Sequence, residues 1–249
     1  MSQNLYNFAQ NLEDNTINLL DMKRLIISWL MIVFAITMYA QKDVTTFLGI
    51  PIDGYKSEMR QKLIAKGYVP KKADDNEYFE GEFNGADVHI YIATNNNKVY
   101  RIMLCDVITQ NEANIKVRFN NLVDQFKNNK RYTALEDYTL PESEDISYGM
   151  NVNKKNYDAL FYQVPDMEKV DTLALQAQVK AELLQKYSLE QLENPTEEIS
   201  KEAQNIVVRL GIDMLLKKSV WFRICENYGK YYITMFYDNE YNRANGEDL

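Results

Sequence analysis

The sequence predicts an α+β protein: tandem helix-plus-antiparallel-strand units with helices packed on sheet faces, and an inserted helical hairpin. Three observations carry that expectation. A helical segment followed by period-two strands occurs twice, over about 43–108 and again from 109 onward. Helical periodicity then replaces the strand rhythm between Met167 and Ser219, and the chain closes in a hairpin centred on Tyr228-Gly229.

Taken in order, the chain first presents "DMKRLIISWLMIVFAITMYAQKD". Met22, Lys23 and Arg24 are a basic start, Leu25 to Met38 an apolar run, and Ala40 a small residue at which a signal peptidase can cut. The run is shorter than the roughly twenty residues that a helix needs to cross a bilayer core. Residues 22–40 therefore read as a signal peptide cleaved at Ala40, which leaves no stable membrane span. No Cys follows the run, so there is nothing to lipidate. Residues 1–21 carry Glu13 and Asp14 without Lys or Arg and read as a mis-annotated extension. The working molecule is then an exported domain over 41–249, in the periplasm, at the cell surface or outside the cell.

Behind the tag, Asp53-Gly54 makes a turn, Met59, Leu63 and Ile64 mark a helix, and Gly67 closes it ahead of Pro70. Residues 76–106 alternate as strands. Val88, Ile90 and Ile92 share a face with Tyr100, Ile102 and Leu104 if the loop at Asn95 to Asn97 is odd-numbered. Thr109 and Glu112 look like a capping box before Ile115, Phe119, Leu122 and Phe126. Further strands are expected over Arg131 to Tyr138, Asp145 to Val152 and Asn156 to Val164. The helical insertion, 167–218, has one apolar stripe of Val170, Ala174, Ala177, Ala181 and Leu184. A second runs through Ile199, Ala203, Ile206, Leu210 and Met214, with Asn194 as cap and Pro195 at the first helical position. Such an arm either covers a sheet edge or binds a partner.

Charge narrows the function classes. The full chain has 28 Lys and Arg against 36 Asp and Glu, a formal charge of −8. Nucleic-acid affinity depends on cations neutralising phosphates, so nucleic acid is excluded as a partner. There are 2 cysteines, Cys105 and Cys225. In an oxidising compartment they can pair as a disulfide, or they can be two buried thiols. Neither has a metal-site spacing, and no metal or cofactor is expected.

In the terminal hairpin, Phe222 opposes Met235 and Ile224 opposes Ile233. The other face collects Trp221, Arg223, Cys225, Tyr232, Thr234 and Phe236. Large rings beside Arg make a binding surface, so Trp221, Arg223, Tyr232 and Phe236 are the candidate binding residues; the same pattern also suits packing beneath a helix. No catalytic residue is assigned. His89 is the sole His, and no nucleophile elbow, P-loop or dinucleotide fingerprint occurs. The acidic end, Asp238 to Asp248, fails the EF-hand template because Tyr241 and Arg243 fall at ligand positions.

Three phrases, "FLGIPIDGYKSEMRQKLIAKGY", "GEFNGADVHIYI" and "YDNEYNRANGEDL", resemble exported proteins of Gram-negative gut and oral bacteria whose function is not established. The resemblance covers Phe47 to about Asp106 and Ser219 to Leu249. It implies export and brings no site residue. The expectation is an exported non-catalytic protein that binds a protein or envelope partner. The alternative is a secreted hydrolase that uses two carboxylates, for example on glycans.

Overall fold

Alternation of apolar and polar residues makes strands over 76–106, within 156–164 and over 219–238, and tight turns fold them back on one another. The computed structural model describes residues 43–74 and 76–244. The signal segment with Ala40, and the last residues of the acidic end, lie outside these. The described chain divides into a larger unit, Val44–Val164 continuing from Leu216, and a smaller one, Pro165–Leu215.

The larger unit opens with a two-stranded ribbon, β1 (Thr46–Phe47) and β2 (Ile50–Pro51), then α1 (Lys56–Ala65) and the strands β3 (Val69–Ala73), β4 (Asn76–Phe83), β5 (Ala86–Asn95) and β6 (Lys98–Asp106). It continues with α2 (Glu112–Asn128), β7 (Tyr132–Thr133), a short α3 (Ile146–Asn151) and β8 (Asp158–Gln163). After the helical unit come β9 (Ser219–Asn227) and β10 (Lys230–Asp238). Strands β3 to β10 form one antiparallel sheet in the order β3-β4-β5-β6-β10-β9-β8-β7. Each half is thus a helix followed by four strands, and the halves meet where β6 pairs with β10.

Turn chemistry fixes much of the register. Asn84-Gly85, Asn96-Asn97 and Tyr228-Gly229 all have positive φ at both positions, which is the geometry whose twist suits two-residue hairpins. At Asn96-Asn97 the loop is even, not odd. A one-residue shift between Ala93 and Thr94 repairs the parity, so that Ile92 meets Ile102 and Ile90 meets Leu104. Tyr100 is the extra residue, and Val99 instead of Tyr100 turns inward, fully buried.

One face of the sheet carries the core. Phe79, Val88, Ile90, Ile102, Leu104, Phe161, Phe222, Ile224, Ile233 and Met235 cluster with Met59 and Leu63 of α1 and with Ile115, Phe119 and Phe126 of α2. Gly67 ends α1 at φ +94, its N–H donating to the Ile64 carbonyl. Gly81 is needed for a different reason: a Cβ there would lie 2.4 Å from the Tyr68 ring.

Several local expectations yield to tertiary demands. Residues 145–152 are not a strand but α3, because the Asp145 carboxylate caps the Tyr148 N–H at 2.7 Å and Gly149 lets the Tyr157 hydroxyl approach. Helix α2 is capped by Asn111, which accepts from Asn114; Glu112 turns away to accept the Ile146 N–H. Of 131–138 only Tyr132–Thr133 pairs as strand.

The smaller unit holds three helices where a hairpin of two was expected: α4 (Thr172–Leu183), α5 (Leu189–Glu193) and α6 (Glu197–Leu216). Leu175, Val179 and Leu183 are the buried stripe of α4, one or two positions on from the expected Ala174, Ala177 and Ala181, since leucine and valine offer more apolar area than alanine. Thr196, not Asn194, meets the Ile199 N–H at the start of α6. Lys186 with Glu202 and Arg209 with Glu182 tie the helices together. No helix among the described residues is long and apolar enough to cross a membrane.

A buried ion pair locks α2 onto the seam. Arg118 donates through Nε and Nη2 to both Asp106 oxygens at 2.6 Å, and Asp106 also accepts the Ile233 N–H of β10. Removing one partner of such a pair leaves the other charge unmatched. We therefore expect Asp106→Ala to lose about 3–5 kcal/mol in urea denaturation, whereas a loss below about 1 kcal/mol would mean that water already reaches Arg118.

Candidate interaction face

The second face of the sheet is organised in rows, because cross-strand partners line up across antiparallel strands. One row runs Glu80, His89, Cys105, Thr234, Arg223, Asp158 from β4 to β8. The next runs Tyr91, Met103, Phe236, Trp221, Leu160 from β5 to β8, and Tyr78 of β4 joins it by stacking on Tyr91 at 5.9 Å. Members of the second row are half-buried, neither core nor fully exposed.

Trp221 and Phe236 stack at 3.9 Å and 19°. Arg223 lies over Trp221 at 5.1 Å and Arg101 over Phe236 at 4.9 Å, so a guanidinium flanks each ring. Both arginines are anchored. Arg101 reaches Asp238 through Nε and Nη2 at 2.5 and 2.8 Å, and Arg223 reaches both oxygens of Asp158 at 2.9 and 3.0 Å. Trp221 Nε1 also donates to Asp238, at 2.9 Å. The hydrogen bond to Asp238 holds Arg101 more strongly basic than usual.

The four residues expected to bind, Trp221, Arg223, Tyr232 and Phe236, share this face. Joined to them are residues that the sequence reading passed over: Tyr78, Tyr91, Met103, Arg101, Asp158 and Asp238. The signal for Tyr78, Tyr91, Arg101 and Met103 was present in β4 to β6 as the outward half of the alternation, but nothing local says that β6 lies beside β10. His89 opposes Cys105, packs against Tyr78 with the rings tilted at 56° and 4.6 Å apart and lies 3.8 Å from Glu80. Asp238, at the start of the acidic end, accepts from Arg101 and Trp221. Among the described residues no group of three or more His, Cys, Asp or Glu is placed to hold a metal ion.

Cys105 and Cys225 are free thiols. They flank β10 on this face, each near the Thr234 hydroxyl, at 3.9 and 3.5 Å. With β10 between them their backbones stand two strand spacings apart, about 10 Å or more, and a disulfide spans at most about 7 Å. Burial pushes the Cys105 thiol up, and burial also raises the Tyr91 and Tyr232 hydroxyls.

Carboxylates that a hydrolase would use as general acid must be raised in pKa. Glu198 and Glu202 line a concavity along α6, yet Lys186 and Tyr187 lower Glu202. Glu144 is lowered as well, by Lys155 and Tyr157. Comparison with protein-family models, curated proteins and solved structures gives no match to this chain.

The thiol geometry is testable. Mild oxidation of the folded protein should leave two titratable thiols, and Cys105 should alkylate more slowly at pH 8 than an unhindered thiol, because less thiolate is present below a raised pKa. An intramolecular disulfide detected by peptide mass would contradict the strand spacing.

Proposed function

We propose that this chain is an exported, non-catalytic protein that binds a protein partner of the cell envelope through the second face of its sheet. The carrying observation is the row of Tyr78, Tyr91, Met103, Phe236 and Trp221 bounded by Arg101 and Arg223. Tyr, Trp, Met and Arg are the residues enriched at the centres of protein interfaces. The arginines are already paired with Asp238 and Asp158, so the partner need not neutralise buried charge.

Ring orientation favours protein over glycan. Sugar subsites present the flat face of an aromatic ring, whereas the Trp221 and Phe236 faces are taken up by each other and by the guanidinium groups. A partner would meet ring edges and the Met103 side chain. Export rests on the Met22 to Ala40 segment, and the charge of −8 weighs against nucleic acid.

Affinity capture from native envelopes with the chain from Gln41 tests this reading. Replacing Tyr91 and Tyr232 together by Ala should cut recovery of the captured partner about ten-fold or more, with the thermal melt still cooperative. Unchanged recovery by the folded double variant would remove this face from the contact.

A further inference from the structure

Outward from the β6–β10 seam the sheet has the same build on both sides, β5 and β4 one way and β9 and β8 the other. On the second face the aromatic row therefore has matching positions about the seam: Met103 with Phe236, Tyr91 with Trp221, and Tyr78 with Leu160. A row that is apolar on both sides of a central line is self-complementary, as a two-fold contact requires.

Charge selects the occupant. The chain carries −8, so two copies repel wherever their acidic surfaces approach. The three central rows of this face are the exception, because each cation in them has its own anion: Arg101 has Asp238, Arg223 has Asp158, and Lys71 has Glu80. A strongly basic partner finds no excess negative charge there, whereas an equally acidic copy can approach without repulsion. Area allows it as well. From β4 to β8 the face spans five strand spacings and its central strands have nine residues, about 24 by 30 Å, or roughly 700 Å². A stable interface takes about 800 Å² from each partner.

We infer that the partner of this face is a second copy of the chain, stacked sheet on sheet about a two-fold axis that lies in the contact plane along the β6–β10 seam. This names the partner in the contact proposed for the face and rests on that reading. Two in-plane axes superpose the aromatic rows, one along the strands and one across them, and charge separates the two. The axis along the strands sets Arg101 over the partner's Asp238 and Asp238 over the partner's Arg101, a ring of alternating sign, and Met103 over the partner's Phe236. The axis across the strands sets Arg101 over the partner's Cys105 and Asp238 over the partner's Thr234, where neither charge gains. Along the seam the outermost facing charges are Asp158 and the partner's Glu80, and each keeps its own cation, Arg223 or Lys71. Aligned packing of twisted sheets then turns the strands of the two copies by about 30°.

The test uses the chain expressed from its full gene in native cells and then purified. In sedimentation, its mass should rise to twice that of one chain as concentration increases. Met103→Glu should raise the dissociation constant about ten-fold or more, because it buries an unpaired carboxylate beside the axis, with the melt still cooperative. Separately, p-benzoylphenylalanine at position 160, in a mixture of isotopically light and heavy copies, should join one copy to the peptide of the other that carries Tyr78; this readout stands even if Met103→Glu does not fold. A single-chain mass at every concentration, with no adduct between copies, overturns the second copy. Loss of envelope capture on replacing Tyr91 and Tyr232 by Ala would in that case keep the sheet-face reading, and unchanged capture would remove both. A dimer indifferent to a folded Met103→Glu overturns its placement on this face. An adduct from position 160 to the peptide that carries position 160 of the other copy overturns the axis along the seam.

Discussion

Strands β6 and β10 come from distant parts of the chain, and their five paired positions, Arg101 to Cys105 against Thr234 to Asp238, join the two halves of the sheet. Each side of this seam is fastened by an arginine and a buried aspartate. On the core side, Asp106 and Arg118 hold α2 against β10. On the other, Arg101 and Asp238 cross the seam itself, and Asp238 also takes the Trp221 indole N–H of β9. Buried carboxylates are costly unless each oxygen finds donors, and here both find them. The seam is therefore specific in register: a slip of one residue would separate both pairs and turn the core face outward.

The same interactions shape the candidate interaction face. Because Asp238 orients Arg101 and accepts from Trp221, the Trp221–Phe236 stack is held beside two anchored guanidinium groups. Arg223 is set by Asp158 two strands from the seam. The face is thus a preorganised surface, and preorganisation lowers the cost of ordering side chains on binding.

Much of this was legible in the sequence wherever the determinants are local. The α+β class, the helix at Met59 to Ile64, the terminal hairpin with Phe222 opposite Met235, and the shared face of Trp221, Arg223, Tyr232 and Phe236 follow from periodicity and turn residues. Misreadings arose where distant contacts decide. Residues 145–152 have the alternation of a strand, but the Asp145 cap and the close approach of Tyr157 to Gly149 make them helical. The loop parity at Asn96-Asn97 was decided by a bulge that no residue announces. The partners of Arg101 and Asp238 depend on which strands become neighbours, and 137 positions separate them in sequence.

Hydrogen exchange measures the seam most directly. If β6 and β10 bind the two halves into one cooperative sheet, the amides of Ile102, Leu104, Met235 and Tyr237 will exchange only through global unfolding and respond identically to denaturant. Strands β4 and β5 will then share the same limiting free energy as β8 and β9. Exchange of one half at a free energy well below that of the other would contradict the account, for it would show two halves that fold separately and merely touch.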